Sequence, residues 1–230
     1  MFVPTTNTYH KILFIKGASY GTAFCIEVDD REYLVSAKHL FADPANTVSI
    51  KYLKADKWID LAVKTAWYGR NGCDAIAFAL DNQISLSRFP LIPSTEGMAW
   101  GQEVCFLGYP FQMSVQLGSA LADRPFPFVK RGNISAWLKE YDDTEIIFVD
   151  AINNEGFSGG PVIFQPHDQK HPQVCGIVSG YRTDSEPVLD DKGEQTGHTV
   201  QYNTGFLRAM SIDPVVKGIK RNPIGFRFPS

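Results

Sequence analysis

An all-β protein is predicted by three features of the sequence. Short apolar or alternating runs, rich in β-branched and aromatic residues, recur along its 230 residues, separated by Gly, Pro, Asn and Asp. Their length and spacing suit an antiparallel sandwich or barrel. Convincing helical periodicity is confined to one stretch near the carboxyl end. Composition agrees: 44% hydrophobic and 20% charged residues lie close to the globular average and exclude wholesale disorder. A chain this long should bury roughly 70% of its unfolded surface, so no disulfide staple is required.

The predicted strands begin with KILFI (11–15), TAFCIEV (22–28), EYLVSA (32–37), TVSIKYL (47–53), WIDLAVKTAWY (58–68) and DAIAFAL (74–80). A polar, turn-rich seam, DNQISLSRFPLIPSTEGMAWGQ (81–102), then joins them to a second set. Two β-domains of similar size meeting in a cleft, residues 1–90 and 91–230, fit that division. The second set comprises EVCFLGY (103–109), EIIFVDA (145–151), GPVIF (160–164), VCGIVSGY (174–181) and TVQYNTGF (199–206). Between them, 111–132 reads as a long loop, a feature that in compact domains is usually functional. The turn-rich stretch Arg182–Gly197 reads as an exposed hairpin or loop. Ile212, Val215, Val216 and Ile219 share one helical face, with Ser211 as a cap and Pro214 in the first turn.

Charge narrows the partners. A net charge of −3 and a pI of about 5.9 give no long-range pull toward nucleic acid or anionic lipid, and neither is expected as a partner. The opening MFVPTTNTYHKILFIKG lacks a basic start followed by an apolar stretch, so no secretory leader is expected. No run approaches the ~20 apolar residues of a membrane span. Cys25, Cys73, Cys105 and Cys175 stand far apart with no CxxC pair, which favours free buried thiols over zinc, redox or disulfide chemistry. These features together give the expectation of a cytoplasmic protein without metal or organic cofactor.

The string most suggestive of chemistry is Gly156-Phe157-Ser158-Gly159-Gly160-Pro161, between two predicted strands. A serine among three glycines can sit on a tight turn with its hydroxyl exposed. The backbone N–H groups of Gly156 and Ser158 could converge on a developing oxyanion. The plain alternative is a glycine-rich hairpin with a solvated serine. A serine hydroxyl is a weak nucleophile until a base takes its proton. Of the five histidines, His10, His167, His171 and His198 lie near the start or in turn-rich stretches. His39 directly follows the hydrophobic strand EYLVSA, a rigid place from which an imidazole can enter a cleft. An orienting carboxylate completes such a set. Asp60, 21 residues after His39, falls inside a long strand pattern; Asp74, 35 residues after it, opens the next strand and is favoured.

The order His39…Asp74…Ser158 is that of a chymotrypsin-type triad. Together with GTAFCIEV, YLVSAKHL, DAIAF, LGYP, RGNISAW, GFSGGPV, CGIVSG and GF (205–206), it resembles the trypsin-like serine peptidases, particularly the bacterial HtrA/Deg branch, over residues 11–220. No PDZ-like region is expected after the terminal helix. The resemblance implies two six-stranded antiparallel β-barrels with the active site between them and a short terminal helix. It implies Ser158 as nucleophile, His39 as general base and acid, Asp74 as orienting carboxylate, and the amides of Gly156 and Ser158 as the oxyanion hole. Val178-Ser179-Gly180 resembles the edge that pairs with a protein or peptide substrate. Ile152 falls at the pocket-base position, where an apolar side chain implies preference for small or hydrophobic residues over Lys/Arg.

Departures bear on activation. Phe157 replaces the aspartate that precedes the serine in digestive relatives, and the chain does not begin with their cleaved Ile-Val. A buried salt bridge from a new amino terminus is therefore not available, which leaves ordering of a loop such as 111–132 as the expected switch. The sequence-level expectation is a serine endopeptidase; the alternative is a trypsin-like peptide-binding module that is weak or inactive in catalysis. A partner protein or larger assembly is compatible with either.

Overall fold

A computed structural model describes residues 3–87, 89–141, 144–169 and 171–229 and places the strands in two sheets. The first contains β1 (Ile12–Lys16), β2 (Tyr20–Val28), β3 (Arg31–Ser36), β4 (Ser49–Lys54), β5 (Lys57–Ala62), β6 (Lys64–Tyr68) and β7 (Ile76–Ala79), all paired antiparallel in the order β5-β4-β1-β2-β3-β7-β6. Only Val63 separates β5, which pairs with β4, from β6, which pairs with β7. The stretch read as one strand over 58–68 is thus a single bent strand that closes six strands into a ring. The β2–β3 and β4–β5 hairpins turn on Asp29-Asp30 (φ 52° and 58°) and Ala55-Asp56 (φ 48° and 56°), the doubly positive φ that matches the twist of paired strands.

The second sheet contains β8 (Ile92–Pro93), β9 (Glu103–Gly108), β10 (Phe128–Tyr141), β11 (Thr144–Asp150), β12 (Pro161–Phe164), β13 (Gln173–Leu189) and β14 (Gln195–Ser211). Its order, β12-β9-β10-β11-β14-β13, closes through a β12–β13 pairing, again a ring of six; β8 adds to β13 in parallel. The expected loop 111–132 is shorter than its reading, because β10 begins at Phe128; before it the chain makes 3-10 turns at Pro110–Gln112 and Gly118–Leu121. The stretch 182–197 is an extended hairpin, since β13 and β14 continue well past the barrel.

A short helix α1 (Thr6–Tyr9) precedes β1, and α2 (Asp213–Arg221) covers the end of the chain, followed by β15 (Phe226–Arg227) against β3. Ile212, not Ser211, occupies the N-cap position of α2, which has no side-chain cap; Ser211, one residue earlier, accepts from the Asp213 N–H (3.3 Å), and Val215 and Ile219 bury the helix's apolar face. Gly218 lets that helix rest on Trp67: a Cβ there would lie 2.0 Å from the indole. The barrels share core, with Phe14 of the first stacked on Tyr109 of the second (centroids 4.6 Å apart, planes at 15°). All four cysteines are buried thiols outside any disulfide; burial pushes the Cys175 thiol up to about 12. No described helix is long and apolar enough to cross a membrane.

Candidate active site

His39 lies in a 3-10 turn, Lys38–Leu40, immediately after β3. Leu40 is buried and the Lys38 ammonium donates to the Gly69 carbonyl (2.8 Å), so the turn is held on both sides of the histidine. Asp74 follows the turn at Arg70–Cys73 and leads into β7. It grips His39 twice: Oδ1 accepts the backbone N–H (2.8 Å) and Oδ2 meets ring Nδ1 (2.7 Å). An ionised carboxylate only accepts, so Nδ1 carries the proton and Nε2 is the free, basic nitrogen. Ser179, from β13 of the other barrel, donates its hydroxyl to the same Oδ2 (2.6 Å).

Burial is the largest influence on the Asp74 carboxyl and raises its pKa. The His39 ring and charge, the Ser179 hydroxyl and the His39 N–H outweigh it and hold the group below its ordinary value. The competing Asp60 is elsewhere: it sits exposed on β5, paired with Lys51 at 2.8 Å.

Ser158 occupies a bend whose flanking Gly156 (φ 96°) and Gly159 (φ 82°) adopt left-handed backbone. A Cβ at Gly156 would lie 2.0 Å from the Tyr109 carbonyl, and one at Gly159 2.1 Å from that of Thr22, so neither position admits a side chain. The bend is tied to the first barrel by Thr22, whose N–H donates to the Ser158 carbonyl (2.8 Å) and whose hydroxyl donates to that of Gly156 (2.8 Å). Ser36 holds Thr22 in turn, donating to its carbonyl at 2.7 Å. On the other side Gly159 N–H meets the Val178 carbonyl (2.7 Å) and Val178 N–H the Gly160 carbonyl (2.8 Å).

Phe157 is fully buried edge-on to Phe106, an apolar anchor where the digestive relatives carry a charge. Among the described residues, no group within the protein accepts from the N–H of Gly156 or Ser158. His39, Gly156 and Ser158 line one open cleft of about 360 Å³, together with Tyr20, Phe111 and Glu155.

Residues 21–169, well over half the chain, match the family model described as the trypsin-like peptidase domain. The chain belongs to the trypsin-like peptidase family. Solved structures of the same fold include Rv3671c from Mycobacterium tuberculosis, in the inactive form of a serine-to-alanine mutant. It shares 16% identity over 94% of this chain and 88% of that one, with a TM-score of 0.56. The serine endoprotease from Yersinia pestis shares 17% identity over 97% and 68%, with a TM-score of 0.55. The HtrA-type protease AlgW with a tripeptide shares 17% over 96% and 64%, with a TM-score of 0.53, so this peptidase spans less than two thirds of that chain. At such identities the likeness is one of fold. No curated protein matches the chain by sequence.

Ile152, which the resemblance places at a pocket base, is 61% exposed. Its carbonyl accepts from the Lys130 ammonium (2.8 Å), which also reaches Asn154 Oδ1 and lies 5.5 Å from the Phe157 ring centroid. Ser179, expected on the edge that pairs with substrate, also contacts Asp74 through its side chain. The sequence carries no signal for the roles of Thr22, Ser36 and Lys130, because a polar residue within or beside an apolar strand has no pattern that announces its partner. Among the described residues no three His, Cys, Asp or Glu side chains group as metal ligands.

Proposed function

We propose that this trypsin-like peptidase is a serine endopeptidase that hydrolyses peptide bonds with Ser158, His39 and Asp74. The reading rests above all on the double grip of Asp74 on His39, which directs the basic face of the imidazole away from Asp74 at the rim of the cleft that Ser158 lines. Ser158 Oγ attacks the substrate carbonyl as His39 Nε2 accepts its proton, and Asp74 stabilises the resulting imidazolium. The tetrahedral oxyanion is received by the N–H groups of Gly156 and Ser158, which are free to donate. His39 then protonates the departing amine, and water repeats the cycle on the acyl-enzyme. Burial of Phe157, with Lys130 bound to the 152–154 loop, supports a bend that stands without a newly cleaved amino terminus.

A fluorophosphonate probe tests the assignment. It should label the protein at Ser158, and Ser158→Ala should abolish labelling and lower peptide hydrolysis on the order of 10⁴–10⁶-fold. Absence of labelling in the unaltered protein would replace this reading by that of a peptide-binding module.

A further inference from the structure

β13 leaves its neighbour β12 just beside the cleft. Their pairing ends at Ile177, Val178 makes the last backbone bonds to Gly160 and Gly159, and Asn153 meets the Gly180 carbonyl (3.1 Å). From Tyr181 onward β13 pairs only with β14 among the described residues, and the two continue as a bare ribbon. Every residue of 181–202 is exposed. One strand edge therefore runs from the Asp74-bound Ser179, past the Gly180 carbonyl that Asn153 meets and two register shifts, into solvent. No further strand covers it among the described residues, although side chains already meet the Arg182 carbonyl (from the Thr204 hydroxyl, 2.9 Å) and the Ser185 N–H (to Asp184 Oδ1, 2.8 Å), and Pro187 has no N–H to offer. Six residues, Tyr181–Glu186, span about 20 Å of edge. A two-stranded ribbon is marginal by itself in water, and a third strand is what such an edge accommodates.

The ribbon is also charged in one sense. Residues 182–202 carry five carboxylates against Arg182 and Lys192, a net charge of −3. Asp184 lies opposite Tyr202 and Glu186 opposite Val200, so these four share one face. Neither carboxylate has an ion-pair partner among the described residues. The Tyr202 hydroxyl is hydrogen-bonded to Glu186, and its pKa is raised by the charge of Glu186, by burial, by that hydrogen bond and, least, by the charge of Asp184.

We propose that the substrate chain adds to the Tyr181–Glu186 edge as an antiparallel strand, and that Asp184 and Glu186 select basic side chains on its amino-terminal side. The inference deepens the endopeptidase reading and rests on it. An antiparallel strand entering the cleft at Ser179 has its preceding residues along the ribbon. With one substrate residue per ribbon residue, the basic positions fall roughly five and seven residues before the one seated beside Ser179. Lys or Arg there stands beside Asp184 and Glu186 on the same face and reaches their carboxylates directly.

Two measurements test it. In the Ser158→Ala protein, two dye-labelled 16-residue peptides differing only by Lys-Ala-Lys against Glu-Ala-Glu in the amino-terminal half are compared by fluorescence anisotropy. The lysine peptide should bind about threefold to tenfold more tightly, the range for two partly exposed charge pairs. The double substitution Asp184→Asn with Glu186→Gln, or 0.5 M salt, should erase the difference. Equal binding overturns the proposal.

In the active protein, cleavage-site profiling of a peptide library should show Lys/Arg enriched several residues before the cut, and the double variant should lose that enrichment. Enrichment after the cut, or none, overturns it. Fluorophosphonate labelling of both proteins reads the catalytic assignment separately: intact labelling without enrichment sinks the ribbon alone, whereas absent labelling sinks the endopeptidase.

Discussion

Ser179 and Asp74 belong to different barrels, and the 2.6 Å hydrogen bond between them joins the two halves at the histidine. The carboxylate oxygen that receives the Ser179 hydroxyl is the one that holds His39 Nδ1. The imidazole's orientation therefore depends on how the barrels meet.

Ser179→Ala removes that hydroxyl and leaves Oδ2 with one partner fewer in a half-buried site. A loss of about 1–3 kcal/mol in stability is expected, measurable by denaturant titration. The rate of fluorophosphonate labelling should fall by roughly tenfold or more, because a looser carboxylate holds the imidazole less firmly. Labelling at the unaltered rate would separate this bond from catalysis.

Asp74→Asn leaves the shape of the site but offers an amide where an ionised acceptor fixed the tautomer of His39. Turnover should fall by about 10⁴-fold. The pH dependence of stability has a definite sign. The carboxyl of Asp74 lies below its ordinary value when folded, so its contribution is complete above the unfolded value of about 3.9 and is lost as pH falls through the folded one. The stability gap between the protein and its Asp74→Asn variant should accordingly narrow below about pH 4, followed by thermal unfolding at stepped pH. A gap that widens on acidification would contradict the direction of the shift.

Thr22→Val keeps the volume and β-branching of a strand residue but deletes the donor to the Gly156 carbonyl. The backbone bond from Thr22 to Ser158 survives, so the fold should persist with about 1–3 kcal/mol less stability. Labelling of Ser158 should slow, because the bend that presents its hydroxyl and the Gly156 N–H has lost one of its ties. Gly156→Ala is the harsher test, as a methyl would press on the Tyr109 carbonyl from a left-handed backbone.

The sequence made most barrel strands legible because each carries its own local signal: alternation, β-branching and a glycine or aspartate at the turn; β10 (Phe128–Tyr141) was not among them, since its polar residues and Gly132 interrupt the alternation and its first residues read as loop. It could not show that Val63 is a bend between two pairings, since both halves of 58–68 obey the same alternation. The ribbon was legible only as an exposed hairpin or loop, because its outer strands bury nothing and so lack an apolar face. At the site, the spacing of His39 and Asp74 around an intervening strand pair favoured the carboxylate that the structure brings to the ring, and Asp60 proved to be a surface partner of Lys51. What spacing could not supply was the contact made through a third residue, as with Thr22 on Gly156 or Lys130 on Ile152.

Lys130 is the remaining case, and its position gives it a definite effect. Its ammonium bridges the Ile152 carbonyl and Asn154, two residues ahead of Gly156, beside the ring of Phe157. Partial burial alone lowers its pKa, yet its bonds go to neutral oxygens, so what it supplies is a fixed donor for the loop. Lys130→Met keeps the stem and deletes that donor. Asn154 and the Ile152 carbonyl remain near water, so the loss in stability should be modest, about 1 kcal/mol. The loop itself should loosen: hydrogen exchange at 152–156 should quicken and Ser158 labelling should slow by severalfold, while exchange in β1–β7 stays unchanged. Lys130→Arg, which retains donors on a longer stem, should recover part of both. Unaltered exchange at 152–156 in Lys130→Met would mean that Phe157 burial and the Thr22 bonds hold the bend by themselves.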